Sequence, residues 1–110
     1  MTEKNNEQRV AIKTNVPTTV KLQFKILCIE KELNMSKVIE ESIRNWIQAN
    51  APISCFTTEL SSNRCEVIKA YIPHFLRIQF KVLCTQNKIA MSLVLYNLVE
   101  EWIEVNSFPN

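Results

Sequence analysis

An internal duplication constrains this sequence more than any other feature. Shifting the chain against itself by 56 positions aligns residues 10–50 with residues 66–106 without a gap. Identical residues recur at matching places: Ile12-Lys13 and Ile68-Lys69, Pro17 and Pro73, Gln23-Phe24-Lys25 and Gln79-Phe80-Lys81, Leu27-Cys28 and Leu83-Cys84, Met35-Ser36 and Met91-Ser92, Trp46-Ile47 and Trp102-Ile103. A unit of about 50 residues buries too little surface to be stable alone. The two copies are therefore expected to share one core.

The duplication divides the chain into five segments. We expect a flexible tail over 1–9, repeat 1 over 10–50, a linker over 51–64, repeat 2 over 65–106 and a second tail over 107–110. The linker contains a proline and a Ser/Thr/Asn-rich second half with no helical or alternating period. About a dozen extended residues reach roughly 40 Å, which is enough to cross a small domain and start the second copy beside the first.

Each copy predicts a strand followed by two helices, A and B. Residues 10–16 and 66–72 alternate in polarity, and a proline ends each strand. Both helices carry apolar residues spaced three and four apart. The stripes of helix A are Val20, Phe24, Leu27 and Cys28, and Leu76, Phe80, Leu83 and Cys84; those of helix B include Met35, Val38, Ile43 and Trp46, and Met91, Val94, Val99 and Trp102. We assign these methionines and tryptophans to the core rather than to cofactor or base stacking.

The two strands are expected to pair with each other. A strand of seven residues cannot stand alone, because its backbone groups need a partner. Antiparallel pairing over four helices predicts a mainly α fold with a short two-stranded antiparallel ribbon. Because the chain has no glycine, Asn50 and Asn106 are expected to supply the left-handed residue that ends each helix B.

These features resemble the ribbon-helix-helix family of DNA-binding proteins, which includes the Arc and methionine repressors and small plasmid copy-control and partition proteins. The resemblance covers each repeat and depends on the alternating strand, the proline that follows it, the Phe-Lys-x-Leu-Cys segment of helix A and the Met-Ser-x-Val start of helix B. It implies an intramolecular pseudo-dimer of two such motifs. Tandem copies in one chain resemble the relaxosome accessory proteins of some conjugative plasmids. The sequence departs from the family in lacking a glycine between helices A and B.

The strand parity selects the residues that would meet DNA bases. If Ile12 and Val16 face the core, the outward residues are Ala11, Lys13, Asn15, Val67, Lys69 and Tyr71. The major groove admits a two-stranded ribbon, and lysine can donate to guanine while asparagine pairs with adenine. The resemblance places the family's base contacts on the same six positions, with Asn15 facing Tyr71 across the pseudo-dyad. The alternative is that both lysines are solvated charges of an edge ribbon.

The start of helix B is a second candidate contact. Unpaired backbone N–H groups and the helix dipole attract a phosphate there, and the resemblance places a phosphate clamp at Ser36, Lys37 and Ser92. Asn34 and Ser36 can equally serve as helix caps. Leu93 stands where repeat 1 has Lys37, so the second clamp is expected to be weaker.

Helix A has an apolar outer face opposite its core stripe. It consists of Leu22, Ile26, Ile29, Ile78 and Val82. An apolar outer face often marks a contact, and the methionine repressor, which this chain resembles, packs through helix A on adjacent operators. We therefore expect self-association through this face. Incidental exposure, or cover by the linker, is the alternative.

The composition, the spacing of the cysteines and the lack of long apolar runs argue against several classes of protein. The hydrophobic fraction of 46% is typical of a folded chain, and a net charge of +2 decides little about partners. The cysteines show no C-x-x-C pair and stand with a single histidine, so we expect reduced thiols, no metal and no cofactor. The polar N-terminus lacks the apolar segment of a secretory signal, and no apolar run approaches the roughly 18 residues of a membrane span. We expect a cytoplasmic protein with no membrane contact.

No catalytic constellation is visible, so an enzyme is not expected. The predicted function is sequence-specific binding of double-stranded DNA, at an imperfect palindrome or repeated sites, by a transcriptional repressor or a plasmid copy-control or partition protein. A relaxosome accessory protein, and an interaction module of the same fold without DNA binding, are the alternatives. An antitoxin is less favoured, because antitoxins usually append a toxin-wrapping tail.

Overall fold

The computed structural model describes residues 8–53 and 64–107. Most of the expected linker 51–64, together with most of the expected tails 1–9 and 107–110, lies outside the described residues. The chain forms six elements in the order strand, helix, helix, strand, helix, helix: β1 (Arg9–Pro17), α1 (Thr18–Glu30), α2 (Met35–Gln48), β2 (Cys65–Pro73), α3 (His74–Gln86) and α4 (Met91–Asn106). In these two ranges, no helix is both long enough and apolar enough to cross a membrane.

The two strands form one antiparallel sheet, as expected. Lys13 lies opposite Lys69, and the pairing extends from Arg9 opposite Pro73 to Pro17 opposite Cys65. The strands therefore include both prolines and are longer than the alternating segments predicted. Alternate side chains are buried: Ile12, Thr14 and Val16 on β1, and Ile68, Ala70 and Ile72 on β2.

Backbone hydrogen bonds join each end of the sheet to a helix of the other half. The N–H of Thr18, the first residue of α1, donates to the Arg64 carbonyl at 3.1 Å. At the opposite end, the N–H of His74 donates to the Gln8 carbonyl at 2.9 Å. Since proline cannot donate, these bonds continue the ladder one residue past Pro17 and past Pro73. Each helix A therefore starts at a fixed point beside the sheet.

The core is shared between the two halves of the chain. Phe24 and Phe80 are fully buried. Phe24 of α1 contacts Trp102 of α4 edge to face, with ring centroids 5.4 Å apart. Trp46 of α2 and Phe80 of α3 repeat the arrangement, also at 5.4 Å. Each half thus supplies an aromatic ring to the tryptophan of the other. Trp46 is buried in the core, as expected, and Trp102, Met35 and Met91 are partly buried and pack against it.

Left-handed residues replace glycine between the helices. Glu32 after α1 and Lys88 after α3 have φ angles of 55° and 58°. The following N–H of Leu33 donates to the Cys28 carbonyl at 2.8 Å. The N–H of Ile89 makes the equivalent bond to the Cys84 carbonyl at 3.0 Å. This is the Schellman pattern, which satisfies end-of-helix carbonyls at a cost of about 1 kcal/mol when the left-handed residue is not glycine.

The two helices B end differently. Asn50 has a φ of 69°, as predicted, and the chain then turns back so that the N–H of Ala51 donates to the Trp46 carbonyl at 2.9 Å. The matching prediction for Asn106 is wrong, because this residue is still helical and its side-chain amide donates to the Trp102 carbonyl at 2.8 Å. That bond satisfies a carbonyl near the helix end without a left-handed turn.

Candidate functional site

The face of the sheet that points away from the helices is the first candidate site. We call it the outer sheet face, and it comprises Ala11, Lys13, Asn15, Val67, Lys69 and Tyr71, all of them exposed. Strand alternation places these residues together, as predicted. The register corrects one detail: Asn15 lies opposite Val67, and Tyr71 lies opposite Ala11. Asn15 and Tyr71 occupy equivalent positions of the two strands, but the antiparallel register puts them diagonally apart.

Two lysines occupy the centre of the outer sheet face. Lys13 and Lys69 lie directly opposite each other, an arrangement in which like charges destabilise a strand pair. The Lys69 ammonium stands 6.0 Å from the centre of the Tyr71 ring, at the outer limit of a cation–π contact. Val67 and Tyr71 expose nearly half of their surfaces, at 46% and 48%. The face therefore presents two ammonium groups, one amide and one phenol hydroxyl beside apolar surface.

The first turn of α2 lies against the edge of β2. The Asn34 side chain accepts a hydrogen bond from the Lys37 N–H at 3.2 Å and so caps the helix. The Ser36 hydroxyl oxygen accepts from the Tyr71 N–H at 3.0 Å, which leaves its own hydrogen to donate elsewhere. Lys37 is exposed on the same turn. Asn34 is thus the cap, while Ser36 and Lys37 stand beside the outer sheet face.

The first turn of α4 is held to β1 by a different bond. The hydroxyl of the buried Thr14 donates to the Ser92 carbonyl at 2.6 Å. Ser92 is exposed, and Leu93 is half-buried where α2 has the exposed Lys37. Ala90 provides no side-chain cap for α4. This helix start therefore lacks the ammonium group that Lys37 supplies at the start of α2.

A buried carboxylate between two arginines escaped the sequence analysis. Glu40 of α2 accepts hydrogen bonds from Arg9 at 3.1 and 3.2 Å and from Arg44 at 3.0 and 3.3 Å. Burial alone would raise the pKa of the Glu40 carboxyl, but the hydrogen bonds from Arg44 and Arg9 outweigh it and hold that pKa below its usual value. Arg9 also donates to the Tyr71 carbonyl at 3.0 Å. The network therefore links α2 to both strands.

Two signals for this network were present in the sequence. Glu40 and Arg44 are four residues apart, the spacing of an ion pair on one helix face. Arg9 directly precedes the alternating segment, and its assignment to a tail hid its place on β1. The long-range pairing of Arg9 with Glu40 has no sequence signal, because it depends on how α2 packs against the sheet.

The outer faces of α1 and α3 are exposed and apolar. Leu22, Ile26, Ile29, Ile78 and Val82, expected there from the sequence, expose between 45% and 66% of their surfaces. Leu33 and Phe75 add two exposed apolar side chains that the sequence analysis did not include, and the Arg44 guanidinium lies 5.6 Å from the Phe75 ring centre. Both helices A therefore offer apolar surface away from the shared core.

The cysteines do not form part of a metal site in the described residues. Cys28 and Cys84 are buried and Cys65 is exposed, while Cys55 lies outside the described residues. No cluster of three or more potential metal ligands occurs within residues 8–53 and 64–107.

No protein-family model matches the chain, and neither a characterised protein nor a solved structure shows significant similarity to it.

Proposed function

We propose that this chain binds double-stranded DNA by inserting its two-stranded sheet into the major groove. In this proposal the two repeats are ribbon-helix-helix motifs that form a pseudo-dimer within one chain. The supporting observation is the like-charged pair at the centre of the outer sheet face, where Lys13 lies opposite Lys69. Two ammonium groups held side by side gain a compensating partner when they meet guanine acceptors in a groove about 12 Å wide.

The starts of α2 and α4 complete the proposed contact by binding phosphates on either side of the groove. Phosphate contacts position a protein on DNA, and base contacts specify the sequence. Ser36 and Lys37 would bind a phosphate of one DNA strand, and Ser92 would bind a phosphate of the other. The Tyr71 N–H donates to the Ser36 hydroxyl and the Thr14 hydroxyl donates to the Ser92 carbonyl, and these bonds hold the proposed phosphate-binding groups relative to the outer sheet face.

The proposed target is an imperfect palindrome. Lys13 and Lys69 are the same in both repeats and favour a shared central preference. The pairs Ala11 and Val67, and Asn15 and Tyr71, differ between equivalent positions, so the two half-sites should differ as well.

Selection from random DNA, followed by affinity measurements on variants, tests this proposal. Lys13→Ala and Lys69→Ala should each cost on the order of 1–3 kcal/mol on the selected site and relax its base choice. Lys37→Ala should weaken binding to all sequences alike and reduce the salt slope by about one. Lys25→Ala removes an exposed charge from α1 and serves as the control, with selectivity unchanged. No selected sequence, or full binding without both strand lysines, would refute the proposal.

The second candidate function is an interaction module that kept the fold without binding DNA. The exposed apolar surface of Val67 and Tyr71 on the outer sheet face favours it. This function predicts that Tyr71→Ala abolishes capture of a protein partner, while the loss of Lys13 has little effect. If loss of Lys13 weakens DNA binding more than Tyr71→Ala does, the result supports the leading proposal.

In the cell, the proposed role is repression of transcription or plasmid copy control or partition, and a relaxosome accessory role is the alternative. Self-association through helix A would let copies fill adjacent sites cooperatively. Ile26→Glu combined with Val82→Glu should leave folding intact and weaken that cooperativity, because a charge buried at a packed contact is costly while one on a free surface is not. Unchanged cooperativity at normal stability would assign this face to incidental exposure.

A further inference from the structure

A cleft opens between the C-terminal halves of α2 and α4. Its volume is about 310 Å³, and both tryptophans, Trp46 and Trp102, line it. The first turns of these helices contact the sheet, whereas the cleft starts two turns further along each helix, at Ser42 and Leu98. It is therefore separate from the outer sheet face and from the helix starts.

The cleft exists because equivalent positions of the two helices carry side chains of different size. Leu98 and Val105 line it from α4, and the equivalent residues of α2 are Ser42 and Ala49. The two small residues leave a space that larger ones would fill. Its volume lies at the lower end of small-molecule pockets, which span about 300–1,000 Å³.

The walls of the cleft are electronegative and aromatic. Glu101 lines it, and none of its lining residues is basic. Both helices end beside it, without a basic residue in the last turn of either. A helix C-terminus carries about half a negative charge. Edge-to-face contacts with Phe80 and Phe24 hold the two indole rings in place.

We propose that this cleft binds a small organic cation, an alkylammonium group on an apolar body. The partly exposed ring of Trp102 attracts such a cation through its quadrupole, and tryptophan does so best of the aromatic residues; Trp46, only 4% exposed, offers little ring surface. The carboxylate of Glu101 and the two helix ends add charge complementarity that a neutral or anionic ligand would lack. The apolar walls favour an alkylated ammonium over a fully hydrated metal ion.

The test uses choline and its uncharged isostere 3,3-dimethyl-1-butanol as probes on the full chain without DNA. The chain has two tryptophans, so the indole N–H groups give two resonances in a proton–nitrogen NMR spectrum. Choline should shift both indole resonances along one saturable curve, with an affinity roughly tenfold above that of the alcohol. Because no DNA is present, failure here is distinct from failure of the proposed function.

Two variants and one control locate the binding. Glu101→Gln should weaken choline binding roughly fivefold, whereas Glu104→Gln, which removes the same charge from the same helix outside the cleft, should not. Ser42→Leu combined with Ala49→Val gives α2 the side chains of α4 and should abolish binding while the spectrum stays dispersed. Equal affinity for both probes, no saturable shift, or indole shifts that depend on protein concentration alone would overturn the proposal; the last result would indicate contact between copies of the chain.

Discussion

Replacement of Glu40 by glutamine tests the packing of α2 against the sheet most directly. The substitution keeps the shape of the side chain and removes its charge. Glu40 is 7% exposed and accepts hydrogen bonds from two arginines. Glutamine can accept with only one oxygen, and its amide group then faces guanidinium donors. Arg9 would also lose the anion that holds it beside the Tyr71 carbonyl.

The expected loss in the free energy of unfolding is about 2 kcal/mol. A hydrogen bond to a charged group contributes roughly 1.5–3 kcal/mol when it is well buried. The arginine side chains are 42% and 41% exposed, so solvent screens them and the contribution of each pair is reduced. For a domain of this size, the loss lowers the melting temperature by roughly 10 °C.

Urea unfolding at about pH 7 and about pH 2.5 measures the loss and its dependence on pH. The folded state lowers the pKa of the Glu40 carboxyl. The contribution of the Glu40 carboxylate to stability is therefore complete above the pKa that this carboxyl has in the unfolded chain. It disappears as the pH falls through the lower pKa of the folded state. The difference between Glu40→Gln and the parent chain should shrink accordingly.

The matched control is Glu41→Gln, which neutralises the adjacent exposed carboxylate. If Glu40→Gln costs no more than this control at neutral pH, or if its cost persists unchanged in acid, the assigned network does not stabilise the fold.

Two further predictions concern the helix starts and the thiols. Asn34→Ala should destabilise the chain by about 1 kcal/mol and Ala90→Asn should stabilise it by a similar amount, because the start of α2 has a side-chain cap and the start of α4 has none; a urea midpoint unchanged from that of the parent chain in either variant would contradict this. Burial raises the pKa of Cys28, and that of Cys84 to about 11, so iodoacetamide at about pH 8 should modify the exposed Cys65 far faster than either. Peptide mapping checks the order, and equal rates at Cys65 and Cys84 would refute the assigned burial.

Much of the backbone was predictable because the repeat doubles each signal. Alternation in the two strand segments predicted which residues of the sheet are buried, and the spacing of three and four predicted the helices. Thr14 shows a limit of the alternation argument. It shares the parity of Ile12 and Val16 and is buried with them, but only its partner, the Ser92 carbonyl, explains how its hydroxyl is tolerated in the core.

The turns between helices were less predictable, because non-glycine residues adopt left-handed conformations there. Glu32 and Lys88 have no special propensity for positive φ. Their conformations depend on the Schellman hydrogen bonds and on the packing that brings α2 and α4 back against the sheet. Asn106, in contrast, has the expected residue type but a side-chain bond that removes the need for the turn.

The alternation of the strands was enough to predict that the residues of the outer sheet face are exposed. Which of them lie opposite each other could be known only from the register of the strand pairing. The sequence analysis placed Asn15 opposite Tyr71 because the two residues occupy equivalent positions of the two repeats. In an antiparallel pair the only equivalent residues that meet are those at the centre, here Lys13 and Lys69. The cleft was not predictable, because it depends on the difference in size between residues of two helices that meet only in the folded chain.

The shared core gives a physical reason why the two phenylalanine–tryptophan pairs are the same in both repeats. Each phenylalanine packs on the tryptophan of the other half, so a change in one copy alters a contact made by both. At another buried position the two repeats differ: Glu40, which accepts from Arg44, corresponds to Tyr96, whose hydroxyl donates to the Glu100 carboxylate. Joining two copies in one chain thus allows unequal side chains on an almost symmetric backbone. A homodimer, whose two copies are identical by necessity, could not present two different halves to a partner.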